Sequence, residues 1–120
     1  MKTILVVDDQ SDIRRLLRIA LMRDFNIVEA EDAEQALAVI ESSPPDLILL
    51  DVMMPGYMDG LDVLKKIKAD PALSHIPVAM VTARGQLADT QDATLLGADG
   101  YFVKPFSPIQ VSAWVRERLG

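Results

Sequence analysis

The chain has 120 residues, with 12 lysines and arginines against 18 aspartates and glutamates, one histidine and no cysteine. That length suits one domain able to bury a core without disulfides or a structural metal, and the missing cysteines exclude thiolate metal sites and thiol catalysis while agreeing with a reducing compartment. A net charge of -6 is opposite in sign to the basic footprint that nucleic-acid binding needs, so no direct contact of this domain with DNA or RNA is expected.

The apolar start up to Val7 is cut off by two acids too early for a signal peptide, and no stretch approaches transmembrane length, which points to a soluble, cytoplasmic protein with no membrane role. Residues 3–7 are β-branched and apolar and predict a buried strand that delivers Asp8 and Asp9 at its end. Ser11 is placed to cap a helix whose apolar stripe runs through Ile13, Leu16, Leu17, Ala20 and Leu21, with Arg14, Arg15 and Arg18 off the stripe. Residues 25–29 read as a short strand. Asp32 with Gln35 makes a capping-box signature for a second helix through Ala33, Ala36, Leu37 and Ile40, stopped by Ser42-Ser43-Pro44-Pro45.

Residues 46–51 hold four consecutive apolar positions between turn signals, the pattern of a strand covered on both faces, and end in Asp51 before breaking into Met54-Pro55-Gly56. The loop to Gly60 leads into a helix with Leu61, Leu64 and Ile67 inward, which ends before Asp70-Pro71. His75, in the next loop, is expected to be exposed and has no assigned role. Residues 77–81 predict a fourth strand with Thr82 at its end, and residues 86–96 a helix with a diluted apolar stripe, closed by Gly97. Residues 99–103 predict the last strand, ending at Lys104-Pro105. Ser107 as cap and Pro108 at the first helical position open a final helix to Leu119, whose inward stripe through Val111, Val115 and Leu119 leaves Trp114 on its flank.

Five strands alternating with five helices predict a single α/β domain over residues 1–120. Right-handed crossovers put a helix between neighbouring parallel strands, so the expected architecture is a doubly wound five-stranded parallel sheet with helices on both faces, in the order 2-1-3-4-5.

The carboxyl ends of the strands then carry Asp8 and Asp9, Asp51, Thr82 and Lys104. In open α/β sheets that edge is where ligands bind. Three crowded carboxylates raise one another's pKa unless a cation relieves them, and an oxygen-rich set of this kind suits Mg²⁺. A hydroxyl and an ammonium opposite the acids are what a phosphoryl group requires once attached to a carboxylate. Asp51, on the central strand, is the natural nucleophile, since a carboxylate can form an acyl phosphate. Caps and surface ion pairs account for the same residues one at a time, but not for five positions converging on one edge. An alternative function is a Mg²⁺-dependent phosphohydrolase with an aspartyl nucleophile, which wants a general acid two residues beyond Asp51, where this chain has Met53. A flavodoxin-like binder of a flavin or nucleotide wants a glycine- or hydroxyl-rich loop after the first strand, where Asp8-Asp9-Gln10 repels phosphate.

Val6-Val7-Asp8-Asp9, residues 46–51 followed by Met54-Pro55, Val81-Thr82-Ala83, and Gly97-Ala98-Asp99-Gly100-Tyr101 with Lys104-Pro105-Phe106 together resemble the receiver domain of two-component response regulators, over essentially the whole chain. The resemblance implies that Asp51 accepts phosphate from a histidine kinase or histidine phosphotransfer protein, and that Asp8, Asp9, Asp51 and the main-chain carbonyl of Met53 form a Mg²⁺ site. It implies that Thr82 and Tyr101 are a switch pair, and that Lys104 meets the phosphoryl oxygens and precedes a cis bond to Pro105. It also implies a signalling switch that catalyses its own phosphorylation and dephosphorylation rather than a conventional enzyme, a downstream output protein or domain, and a phosphorylation-linked dimer. The Arg14, Arg15 and Arg18 face lies where receivers dock their phosphodonor, and Trp114 lies near the surface that responds to phosphorylation. Receivers usually have one residue fewer between Pro55 and Asp59-Gly60, so Gly56 or Tyr57 looks inserted here. The 120 residues suit either a stand-alone receiver or one cut from a longer regulator.

Overall fold

In this computed structural model residues 1–83 and 97–120 are described. The strands are β1 (Thr3–Val7), β2 (Asn26–Ala30), β3 (Leu47–Asp51), β4 (Val78–Ala83) and β5 (Gly100–Lys104), and the helices among the described residues are α1 (Ser11–Leu21), α2 (Ala33–Ser42), α3 (Gly60–Ala69) and α4 (Pro108–Leu119). All neighbouring strands are parallel and stand in the order β2-β1-β3-β4-β5. The helix expected over 86–96 lies outside the described residues.

Alternation along the buried strands divides the core in two. Leu5, Val7, Ile48, Leu50, Val78 and Met80 face α2 and α3, which contribute Ala33, Ala36, Ile40, Val63, Leu64 and Ile67. Ile4, Val6, Leu47, Leu49 and Ala79 face α1 and α4, which contribute Leu17, Leu21, Val111 and Val115. β3 is buried along its whole length because helices cover both of its faces.

The helix starts follow local chemistry with one exception. Asp32 accepts from the Gln35 N–H at 2.8 Å, Ser107 from the Gln110 N–H at 3.3 Å, and Asp59 and Asp62 form a reciprocal capping box at 3.0 Å in each direction. The Gln35 side chain accepts from the Glu31 N–H rather than from Asp32, so that box is displaced by one residue. At α1 the expected cap does not form: Gln10 occupies the N-cap position without a side-chain cap bond, and Ser11 is already helical. The Gln10 side-chain oxygen is taken by Lys104 instead, at 3.0 Å.

The face that α1 buries also differs from the expectation. Arg14 is buried together with Leu17 and Leu21, while Leu16 is 39% exposed. A periodicity that counts arginine as polar misplaces the stripe, because the apolar stem of Arg14 lies inward and its guanidinium finds partners at the end of β1 and on β2.

Two close approaches fix how helices lie on the sheet. A Cβ on Gly60 would overlap the Asp51 carbonyl oxygen, so α3 starts against the backbone of β3, and the Gly60 N–H donates to the Val52 carbonyl at 2.9 Å. A Cβ on Gly100 would lie 2.9 Å from the Trp114 ring. Trp114 therefore packs across β5, edge-on to Phe102 at 6.0 Å between centroids, with the Arg118 guanidinium 4.8 Å from its own centroid. At the amino edge of the sheet, Lys68 Nζ donates to Ser74 O, Ile76 O and Asp99 Oδ2 at 3.1, 2.8 and 3.2 Å, and the same Asp99 oxygen accepts the Val78 N–H at 2.8 Å. His75 is exposed in the adjoining turn.

Candidate functional site at the carboxyl edge of the sheet

The register of the sheet assembles the site. Val7 is paired with Leu50, which puts Asp8 level with Asp51, and Asp51 is paired with Val81, the residue before Thr82. Ala83 is paired with Lys104. By alternation Asp8 and Asp51 share the face of Ile4, Val6, Leu47 and Leu49, and Lys104 shares the face of Phe102. Thr82 has the parity of Val78 and Met80, and Tyr101 packs against that other cluster, so Thr82 and Tyr101 stand on one face, opposite the carboxylates.

Carboxylate oxygens of Asp8, Asp9 and Asp51 lie within 4.8 Å of one another. Asp8 is 2% exposed and Asp51 4%, whereas Asp9 reaches solvent. Lys104 Nζ meets this group at 3.0 Å from Asp8 Oδ2 and 3.5 Å from Asp51 Oδ2. The peptide bond between Lys104 and Pro105 is cis. Thr82 is buried, and its hydroxyl donates to the Ala83 carbonyl at 3.3 Å.

Burial pushes the Asp51 carboxyl up to about 7; repulsion from Asp8 and Asp9 adds to the rise, and Lys104 and the Met53 main-chain N–H oppose it. One ammonium does not compensate three carboxylates. The donor set is all oxygen, clustered and undercompensated, and it fits a hard divalent cation that keeps part of its water shell. The Met53 side chain is exposed, which leaves its backbone as the part of this residue at the site.

Sequence reasoning missed two contributors. Gln10 closes the bend after β1, its N–H donating to Asp8 Oδ1 at 2.9 Å while its side chain accepts from Lys104. Arg14 donates from Nη1 to the Asp8 carbonyl at 2.6 Å and from Nε to Glu29 Oε1 at 3.0 Å. Glu29 also accepts from Arg18 at 2.7 Å. Burial works to raise the Glu29 pKa, but the hydrogen bonds and charges of Arg18 and Arg14 outweigh it and hold Glu29 below the usual value. Arg14 and Arg18 are therefore engaged within the domain rather than forming a free basic face. The available signal was position: an arginine one turn into the helix that follows an acidic pair.

Fold and site together define a class: a doubly wound α/β domain with an acidic, cation-ready cluster and an opposing lysine at the carboxyl edge. The family model for the response regulator receiver domain matches residues 4–116, and the chain belongs to that family. It is 43% identical over 119 residues to the phosphate regulon transcriptional regulatory protein PhoB of Pseudomonas aeruginosa, covering 98% of this chain and 52% of that protein. It is 45% identical over 117 residues to the transcriptional regulatory protein ResD of Bacillus subtilis, covering 97% and 47%. The chain thus spans about half the length of these curated relatives. Among solved structures, the CheY-like response regulator receiver domain protein of Methanospirillum hungatei superposes with a TM-score of 0.90 at 29% identity, covering 99% of this chain and 94% of that one. The domain is a receiver of two-component signalling and acts through phosphorylation-dependent switching. Among the described residues no helix is long and apolar enough to cross a membrane.

Proposed function

We propose that the whole of residues 1–120 forms a receiver in which Asp51 takes a phosphoryl group from the phosphohistidine of a histidine kinase or phosphotransfer protein. The observation that carries this reading is the cluster of three carboxylates within 4.8 Å, faced by Lys104, where β1, β3 and β5 end. An Asp51 carboxylate oxygen attacks phosphorus, the bond to the donor nitrogen breaks, and the imidazole leaves with the electron pair of that bond and takes up a proton. Asp8, Asp9, Asp51 and the Met53 carbonyl would hold Mg²⁺, which supplies charge neutralisation for the phosphoryl oxygens.

Lys104 turns from the carboxylates to the phosphoryl group, since phosphorylation places its new charge beside an ammonium already 3.5 Å from Asp51. The Thr82 hydroxyl leaves the Ala83 carbonyl for a phosphoryl oxygen. Tyr101, on the same face as Thr82, follows it and shifts a two-state equilibrium of the partner-binding surface. The same site would release phosphate to water, which makes the domain a switch that sets its own lifetime. It works in the cytoplasm, with a histidine kinase or phosphotransfer protein upstream, an output protein or domain downstream and a phosphorylation-linked dimer as one output form, and it does not itself contact nucleic acid.

Incubation with a small phosphodonor and Mg²⁺, read by intact mass and site mapping, tests the reading. Wild type gains one phosphoryl group on Asp51, and folded Asp51→Asn gains none. Equal labelling of the two proteins refutes it.

A further inference from the structure

The bend between β1 and α1 carries two of the three clustered carboxylates, yet Asp9 lies on the exposed side of it and little packing holds it. The last ladder bond with β2 is the Asp8 N–H to the Ala30 carbonyl at 3.1 Å. Beyond it the chain leaves the sheet, and the direction of the Asp8–Asp9 peptide decides where the Asp9 carboxylate stands.

That peptide is held by a buried cation. Arg14 Nη1 donates to the Asp8 carbonyl at 2.6 Å, Nε donates to Glu29 Oε1 at 3.0 Å, and Nη2 lies 3.7 Å from Glu31 Oε1. The side chain is 11% exposed. Arg18 takes the other Glu29 oxygen, so Glu29 is itself fixed from two sides. Lys104 meets the Asp8 carboxylate while Arg14 meets the Asp8 carbonyl, and the residue is held at both ends.

We propose that Arg14 is a positioning residue of the carboxylate site: anchored on Glu29, its guanidinium fixes the plane of the Asp8–Asp9 peptide and so presents Asp9 beside Asp8 and Asp51. The proposal rests on the Mg²⁺-dependent reading of that site. The physical basis is that the Asp8 carbonyl and the Asp9 N–H belong to one rigid plane, so holding the oxygen orients the next residue. A planar fork can bond a carbonyl and a carboxylate at once in fixed geometry, which an ammonium on a flexible stem does not reproduce. Partners that orient metal ligands typically change metal affinity by about 10- to 100-fold when removed.

The test is a calorimetric Mg²⁺ titration of wild type, Arg14→Met, Arg14→Lys and Arg18→Met, with urea stability measured in parallel in chelator. Arg14→Met should raise the Mg²⁺ Kd about tenfold or more, and Arg14→Lys should show most of that loss although its charge is kept. Arg18→Met removes the other Glu29 partner without touching Asp8 and should stay within about twofold of wild type. Should Arg14→Met not fold, Arg14→Lys and Glu29→Gln decide; the latter keeps the guanidinium, loosens its anchor, and should raise Kd about threefold. Unchanged Mg²⁺ affinity in the Arg14 variants with lowered stability overturns the proposal and makes Arg14 a fold residue only. Wild-type affinity in Arg14→Lys also overturns it, because charge alone would then suffice. Wild type that binds no Mg²⁺ overturns the site reading itself, a result distinct from wild-type binding that the variants leave unchanged.

Discussion

Substituting Asn for Asp51 should stabilise the metal-free domain, and the gain should grow with pH. In the folded chain Asp51 holds its proton up to about 7, against 3.8 for an ordinary aspartate. Between those values the native state binds more protons than the unfolded chain, so raising the pH favours unfolding. The destabilisation begins near the unfolded value and is complete once the pH passes about 7. At about 1.4 kcal/mol per pH unit, the full effect is about 4 kcal/mol. Solvent screening subtracts little from it, because the Asp51 side chain is only 5% exposed.

Asparagine keeps the shape and removes the titration; the attraction to Lys104 belongs to the ionised form and is already contained in the Asp51 value. The informative quantity is therefore the change in the stability difference between Asp51→Asn and wild type. Measured by urea unfolding in chelator, that difference should increase by about 2–3 kcal/mol from about pH 5 to about pH 8. With Mg²⁺ at the proposed site, saturating metal should shrink or invert it, because an ion held by Asp8, Asp9 and Asp51 would stabilise wild type by mass action and the variant less. A difference that is flat or falls with pH in chelator refutes the claim that burial and the neighbouring carboxylates hold Asp51 protonated.

Gly60→Ala should destabilise the domain by about 1–3 kcal/mol, because its Cβ would overlap the Asp51 carbonyl; unchanged urea stability refutes that approach of α3 to β3. Ser112→Ala should be neutral or stabilising by up to about 1 kcal/mol, since the buried Ser112 hydroxyl has no hydrogen-bond partner among the described residues, and a loss in thermal unfolding would reveal one. Arg118→Ala should leave Trp114 more open to acrylamide quenching and remove about 0.5–1 kcal/mol of stability; emission that ignores the substitution rules out the stacking. Thr82→Ala should still be phosphorylated on Asp51 but lose the shift of the Tyr101 ring resonances on adding a phosphate mimic, and a wild-type shift would uncouple that pair.

The sheet was legible from sequence because its strands are short apolar runs that end in polar residues. The run before Asp51 reads as a central strand, and the parallel direction of the strands then brings Asp8, Asp51 and Lys104 to one edge whatever the loops do. Strand limits moved by a residue, as at Phe25, which belongs to the core beneath β2 rather than to the strand. What periodicity could not read was the rotation of α1, since Arg14 is polar in composition but buried in fact, with partners 6 and 15 residues away along the chain. The cap of α1 was hidden for a related reason: Gln10 answers to Lys104, 94 residues distant, and no local rule carries such a demand. Trp114 was correctly set at the flank of its helix, but its seat on Gly100 depends on the register of α4 over β5, which a single helix pattern does not contain.

That seat makes positions 100 and 114 a single volume shared by two residues. The indole fills the space that a side chain on β5 would otherwise occupy, so a larger residue at 100 is admissible only with a smaller one at 114. Either change alone would alter the tilt at which α4 lies across the strand that ends in Lys104. Libraries that randomise the two positions independently will mostly sample misfits, whereas paired variation can reset the angle of the C-terminal helix without touching any residue of the acidic site.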